Sequence, residues 1–248
     1  MAEQNTVLRG QVGSGLHGVI TGSDDRDEMG VCIEPPECVI GNSKFAQYRF
    51  RTQAEGVRSP GDLDLVIYSL RKWARLAAQG NPRILLLMFI PVSELVFMND
   101  LGWDIQAHPE RFLSKKAASR FSGYLVAQQE KMLGLRGQGT TRSELVEVHG
   151  FDTKSAYHMI RVGLQGVELL TTGRISLPTP EPDLTWLREL SDGKHSMDEA
   201  LDRGRNLLDQ IDRLGETADL PDSPDWRHID DWLTRTYREW WDRTGQWP

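Results

Sequence analysis

The sequence predicts an α+β fold: a small mixed sheet with flanking helices near the N-terminus, followed by a mainly helical C-terminal region. Three observations point there. Before about residue 58 glycine is dense and apolar residues come in short runs of strand length. After it helical signals take over, and most of the later segments carry capping residues at one or both ends. The connection between the two textures is a short apolar run, Leu63–Ile67, that leads directly into a helix.

Taken in order, the runs Thr6–Val12 and Gly30–Ile33 are strand candidates, and Phe45–Arg51 alternates as a half-buried strand does. Leu63–Ile67 is the last strand. A helix over 69–79 follows, with Ser69 as N-cap and Gly80 just past its end. Asn81-Pro82 restarts the chain as N-cap and first helical residue, opening a buried helix over 83–88. A further helix spans 109–132, and a glycine-rich loop spans 134–141. Asp152 or Thr153 caps a helix that ends at Thr172 before Gly173. A stiff linker, Pro178–Pro182, precedes the capping box Ser196-Met-Asp-Glu199, which opens a helix to Leu214 closed by Gly215. In the final helix, Trp226, Ile229, Leu233, Tyr237 and Trp240 recur at steps of three and four, with Trp241 expected to be exposed. The division that results places a mixed α+β domain at 1–108 and a helical domain at 109–248.

Composition narrows the function classes. At 248 residues the chain has ample core, and its longest apolar run, Ile84–Val92, is about half of what a membrane helix needs. Cys32 and Cys38 are too few for a disulfide scaffold or a four-ligand zinc site. A soluble, cytoplasmic protein is expected, without membrane association and with oligomerisation open. The net charge of −7 argues against a general nucleic-acid coat but leaves room for one locally basic groove, for which Arg71, Lys72, Arg75, Lys115, Lys116 and Arg120 are the candidates.

The most informative stretch is 13–31. A strand-like run ends at Gly13-Ser14, where small residues let backbone N–H groups approach a phosphate. Asp25 and Asp27 then sit two apart just ahead of a strand, so in extended chain both carboxylates aim at one spot. Like charges held about 6–7 Å apart repel unless a cation lies between them, and magnesium suits few carboxylates plus substrate phosphates. Either half alone is ordinary, since an Asp-rich turn is commonly just a solvated loop.

The combination resembles the polymerase-β-like nucleotidyltransferase superfamily, in its bacterial and phage branch of nucleotidyltransferases. Gly13, Ser14 and Gly18, then Asp25, Asp27 and Gly30, match the branch's opening pattern. Asp64-Leu-Val-Ile-Tyr-Ser-Leu-Arg-Lys72 and Gly80-Asn-Pro82 match its centre, and Lys154, His158 and Arg161 match a helical Lys-x-x-x-His-x-x-Arg. One departure stands out: where the branch has an acid shortly after Asn-Pro, this chain has the apolar run Ile84–Met88.

The resemblance implies a sheet of the nucleotidyltransferase kind and a metal triad of Asp25, Asp27 and Asp64, with Asp62 as the competing third carboxylate. It further implies Mg²⁺, or Mn²⁺ in its place, with an NTP as substrate. Gly13, Ser14, Lys154, His158 and Arg161 would bind the nucleotide. The expected reaction moves an NMP to an acceptor hydroxyl on an RNA end, a protein or a small molecule, with loss of pyrophosphate. The alternative is a non-catalytic nucleotide-binding or antitoxin-like regulator on the same fold. Lys154, His158, Arg161, Gln165 and Glu168 also fall in one narrow helical arc, which any amphipathic helix presents to solvent. His17 could touch nucleotide or pack against the turn.

Overall fold

The computed structural model describes residues 1–19, 26–52, 61–135 and 142–246. Its strands are β1 (Thr6–Gln11), β2 (Arg26–Cys32), β3 (Gln47–Arg51), β4 (Leu63–Ser69) and β5 (Leu95–Met98). The helices run from α1 (Pro36–Val39), α2 (Leu70–Ala78), α3 (Pro82–Leu85) and α4 (Asp100–Ala107) to α5 (Lys116–Met132) and α6 (Ser143–His149). They continue with α7 (Thr153–Thr172), α8 (Asp183–Ser191), α9 (Met197–Thr217) and α10 (Trp226–Thr244). Two compact units result: Met1–Ala78, Arg83–Phe112 and Pro224–Pro248 form the first, Gln79–Pro82 and Leu113–Ser223 the second.

In the first unit the five strands lie in the order β3-β4-β2-β1-β5. Only β2 and β4 run parallel, the remaining pairs being antiparallel, so the sheet is mixed as the sequence predicts. The sequence gives no warning of β5, a four-residue edge strand, because its run Leu95-Val-Phe-Met98 is continuously apolar and too short for period two to show. Cys32, Leu65 and Ile67 are fully buried on one face, with Phe45, Tyr48 and Leu63 packed against them. The β4-to-α2 junction is sharp: Ser69 Oγ accepts from Lys72 N at 3.2 Å, so the expected cap is made.

The last helix belongs with the sheet rather than with the helical region in which sequence order places it. A wholly buried carboxylate, Glu34, explains why. Its Oε2 accepts from Leu70 N at 3.0 Å and from the Tyr237 hydroxyl at 2.5 Å, while its backbone carbonyl accepts from Trp241 Nε1 at 2.9 Å. The same Tyr237 oxygen accepts from Arg71 N at 3.1 Å, so α10 helps to cap α2. Trp241 is therefore buried, and Trp226, expected in the core stripe, is exposed at the helix start. Burial, reinforced by the Glu34 charge, pushes the Cys32 thiol up to about 12, which leaves it an inert core side chain.

The second unit is built on α7, which packs against α5, α8 and α9. Gly163 and Gly166 make that approach possible. A Cβ on Gly163 would sit 2.9 Å from Leu207 Cδ1, and one on Gly166 would sit 2.9 Å from Phe121 Cβ. Asp152 caps α7 through Ser155 N at 2.9 Å and Gly173 ends it in the left-handed region. The Ser196–Glu199 capping box opens α9 as expected. That helix continues through Gly215, whose Cβ would lie 2.9 Å from Ala118 Cβ, so the glycine serves packing instead of termination. Among the described residues no helix is long and apolar enough to cross a membrane.

Candidate active site

Sheet register brings the first group of residues together. Asp27 on β2 is paired with Asp64 on β4, and in a parallel pair such neighbours project to the same side of the sheet at a spacing of about 5 Å. Asp27 is anchored from the other flank, since Val12 N donates to its carbonyl at 2.8 Å. That bond sets the turn after β1 against the carboxylate: a Cβ on Gly13 would lie 3.3 Å from Asp27 Oδ2. Ser14 opens a single 3₁₀ turn, Ser14–His17, closed by Gly18 at φ +80°. Gly13, Ser14, Asp27 and Asp64 thus come from four separate sequence positions to one sheet end. His17 is buried at 3% exposure, which matches packing beneath the turn.

Asp64, not Asp62, is the register neighbour of Asp27. Asp62 lies ahead of β4 and accepts from the Thr52 hydroxyl at 3.0 Å. Arg51, a further member of this group, faces Asp64 across the β3–β4 pair and places its Nη2 3.0 Å from Asp64 Oδ2. A cross-strand cation of this kind is visible only once register is known. Asp25 lies outside the described residues, and among those described no group of three or more His, Cys, Asp or Glu is placed to hold a metal. The donor set of Asp27 and Asp64 nevertheless fits a hard divalent cation: two carboxylates side by side, with a third two residues before Asp27. Glu28, on the opposite face of β2, is wholly buried and tied to Arg9 Nε at 2.5 Å and Arg26 Nη2 at 2.7 Å, so it is a structural acid.

The second group lies on α7. None of Lys154, His158, Arg161, Gln165 or Glu168 is exposed, and Gln165 is buried at 4%, so this arc is not a simple solvated face. Arg161 donates to Gln165 Oε1 at 3.1 Å, places Nη2 3.4 Å from His158 Nδ1, and lies over the Tyr157 ring. Burial first, then the charges of Arg161, Lys154, Arg142 and Lys131, hold His158 well below its usual value. Lys131 and Arg142 are thus additional members of a cationic cluster, contributed by α5 and by the residue before α6. Their separation from the α7 triplet in sequence hides them from a linear reading. Arg142 also reaches Asp152 at 3.4 Å. Of the basic-groove candidates, Arg71 donates to the Cys38 and Val39 carbonyls, Lys72 to Gln47, and Lys115 to Asp222.

The state of His158 has a measurable consequence. A histidine in the unfolded chain titrates near 6.5, whereas the folded chain resists protonation at this position. Below about 6.5 the unfolded state therefore binds the extra proton, and stability falls with falling pH; above it the contribution is complete. Urea midpoints measured between about pH 5 and 8 are expected to decline on the acid side in the wild type and to decline less in His158→Gln.

The family described as "RNA repair pathway DNA polymerase beta family" matches residues 2–235. An uncharacterized 38.9 kDa protein from the nrdC–mobD intergenic region of Enterobacteria phage T4 is 31% identical over 136 residues. That match covers 53% of this chain and 40% of the phage protein, so the chain spans less than half of that relative's length. Among solved structures, a nucleotidyltransferase-like protein from Exiguobacterium sibiricum 255-15 aligns with 96% of this chain and 76% of its own, at 12% identity and a TM-score of 0.29. Spectinomycin adenyltransferase AAD(9) from Enterococcus faecialis, solved with ATP and spectinomycin, aligns with 86% of this chain and 91% of its own, at 14% identity and a TM-score of 0.36.

Proposed function

Because the chain belongs to the RNA repair pathway DNA polymerase beta family, and is thereby an enzyme of the nucleotidyltransferase class, we propose that it moves an NMP from an NTP to an acceptor hydroxyl in a metal-dependent reaction that releases pyrophosphate. The observation that carries this reading is the side-by-side placement of Asp27 and Asp64 with the Gly13 turn against them. Asp25, Asp27 and Asp64 would hold Mg²⁺, which when bound neutralises triphosphate charge and orients the reacting oxygens.

The chain's own residues supply the remainder. The Gly13–Ser14 backbone and the Ser14 hydroxyl would hold the outer phosphates, the absence of a side chain at 13 leaving room for them beside Asp27. Asp64 would accept the proton of the attacking hydroxyl, and Arg51 would fix the orientation of that carboxylate through their 3.0 Å contact. Lys154 and Arg161 would bind phosphate oxygens by charge-assisted hydrogen bonds. His158, kept neutral, would accept or donate one hydrogen bond there without adding charge. Among acceptor classes, the description of the family supports an RNA end over a protein or a small molecule.

Incubating the protein with each α-labelled NTP, Mg²⁺ and RNA, protein or small-molecule acceptors tests the proposal. The expected result is label on one acceptor, matched by pyrophosphate release. Absence of both with every NTP and acceptor class would leave the regulatory alternative in its place.

A further inference from the structure

The second unit contains a cavity of about 530 Å³ between the C-terminal half of α7, the segment that follows it and α9. Its size falls in the range of small-molecule sites. The apolar side chains Leu164, Val167 and Leu207 contribute to its lining, together with the amides of Gln165, Asn206 and Gln210. The charged groups in the lining are already engaged: Glu168 accepts from Ser176 N and Oγ, and Arg203 is paired with Asp183. The Thr171 and Thr172 hydroxyls donate to carbonyls one turn back along α7. The Asn206 amide makes no hydrogen bond among the described residues, and the Gln210 amide donates only to the backbone carbonyl of Asn206. What the cavity offers a ligand is therefore flat apolar surface with a neutral donor–acceptor edge, and no uncompensated cation for a phosphate.

One residue of the cavity wall, Gln165, also links it to the cationic cluster. Its side chain accepts from Arg161, and the two lie one helical turn, about 6 Å, apart. An occupant combining a planar, hydrogen-bonding body with an anionic group one turn away would satisfy both regions. A nucleotide has that construction: its base presents two apolar faces and an edge that pairs with Asn and Gln amides.

We infer that this cavity is a nucleobase site, in which Asn206 and Gln210 read the edge of a base whose phosphate lies on Lys154 and Arg161. The inference rests on the phosphate-binding reading of α7 and adds the base subsite to it. The base could be carried by the NTP or by the terminal nucleotide of an acceptor RNA, and the ligand series separates these sources.

The test measures binding of ATP, inorganic triphosphate, a short RNA oligonucleotide and the same oligonucleotide with an abasic end, for the wild type, Asn206→Leu, Gln210→Leu and Lys154→Ala. Asn206 is exposed and Gln210 half-buried, so the leucine variants are expected to melt within a few degrees of wild type. The expected result is about a 10-fold weaker affinity of both leucine variants for one base-bearing ligand, with the base-free counterpart unaffected. Sensitivity confined to ATP assigns the base to the NTP, and sensitivity confined to the intact oligonucleotide assigns it to the acceptor. If base-bearing and base-free ligands bind the wild type equally, or if the leucine variants bind as the wild type does, the base site is overturned while the phosphate reading stands. If Lys154→Ala leaves all four affinities unchanged, the phosphate reading fails and the inference fails with it.

Discussion

Asp27→Asn and Asp64→Asn are each expected to lower NMP transfer by about 10³-fold or more, the equivalent of losing several kcal/mol of charge stabilisation in the reacting complex. Asparagine keeps the shape of aspartate and removes its charge, so the sheet should form unchanged. Stability gives a second readout with a definite sign. Two carboxylates directly opposite on neighbouring strands repel each other, and the Arg51 contact offsets that repulsion at Asp64. Removing either charge is therefore expected to leave the free energy of unfolding in urea unchanged or to raise it by up to about 1 kcal/mol. Lost transfer together with a markedly lower midpoint would mark these residues as structural. Full transfer in either variant would remove them from the metal-holding role.

The second large effect concerns the attachment of α10. Glu34 is wholly buried, and its Oε2 depends on two donors, Leu70 N and the Tyr237 hydroxyl. Burial first, then the Glu34 charge, drives the Tyr237 hydroxyl far above its usual range, so it remains a donor at every working pH. Tyr237→Phe removes one donor from a buried carboxylate and is expected to cost about 1.5–3 kcal/mol. Trp241→Ala removes a buried indole together with its bond to the Glu34 carbonyl and is expected to cost about 3–5 kcal/mol. Urea unfolding of both variants checks these values. A cost below about 0.5 kcal/mol for Tyr237→Phe would show that α10 is not fastened through Glu34.

Much of the local structure could be read from the chain because local physics fixed it. Ser69, Asp152 and the Ser196–Glu199 box mark helix starts through side-chain acceptors a few residues from the backbone groups they satisfy. Gly173 marks a helix end because the left-handed conformation there suits a residue without a Cβ. The Asp25 and Asp27 spacing marks candidates only in combination with the Gly13-Ser14 turn, and Asp25 lies outside the described residues.

What remained hidden depends on contacts between segments distant in sequence. No pattern within α10 announces that Trp241 rather than Trp226 is buried, since the deciding partner is a carboxylate at position 34. Arg51 meets Asp64 only through the β3–β4 register, and Lys131 and Arg142 meet His158 only when α5 and α6 are in place around α7. The sequence by itself determined the α+β class, the capped starts of α2, α7 and α9 with the end of α7 at Gly173, and the family-type pattern of carboxylates and cations. The tertiary structure decided that Asp64 and not Asp62 stands beside Asp27, that the cations of α7 surround a neutral histidine, and that the last helix returns to the sheet. The division has one physical reason: capping, turn geometry and periodicity act over a few residues. Register, burial and electrostatic neighbourhood exist only after distant parts of the chain have packed together.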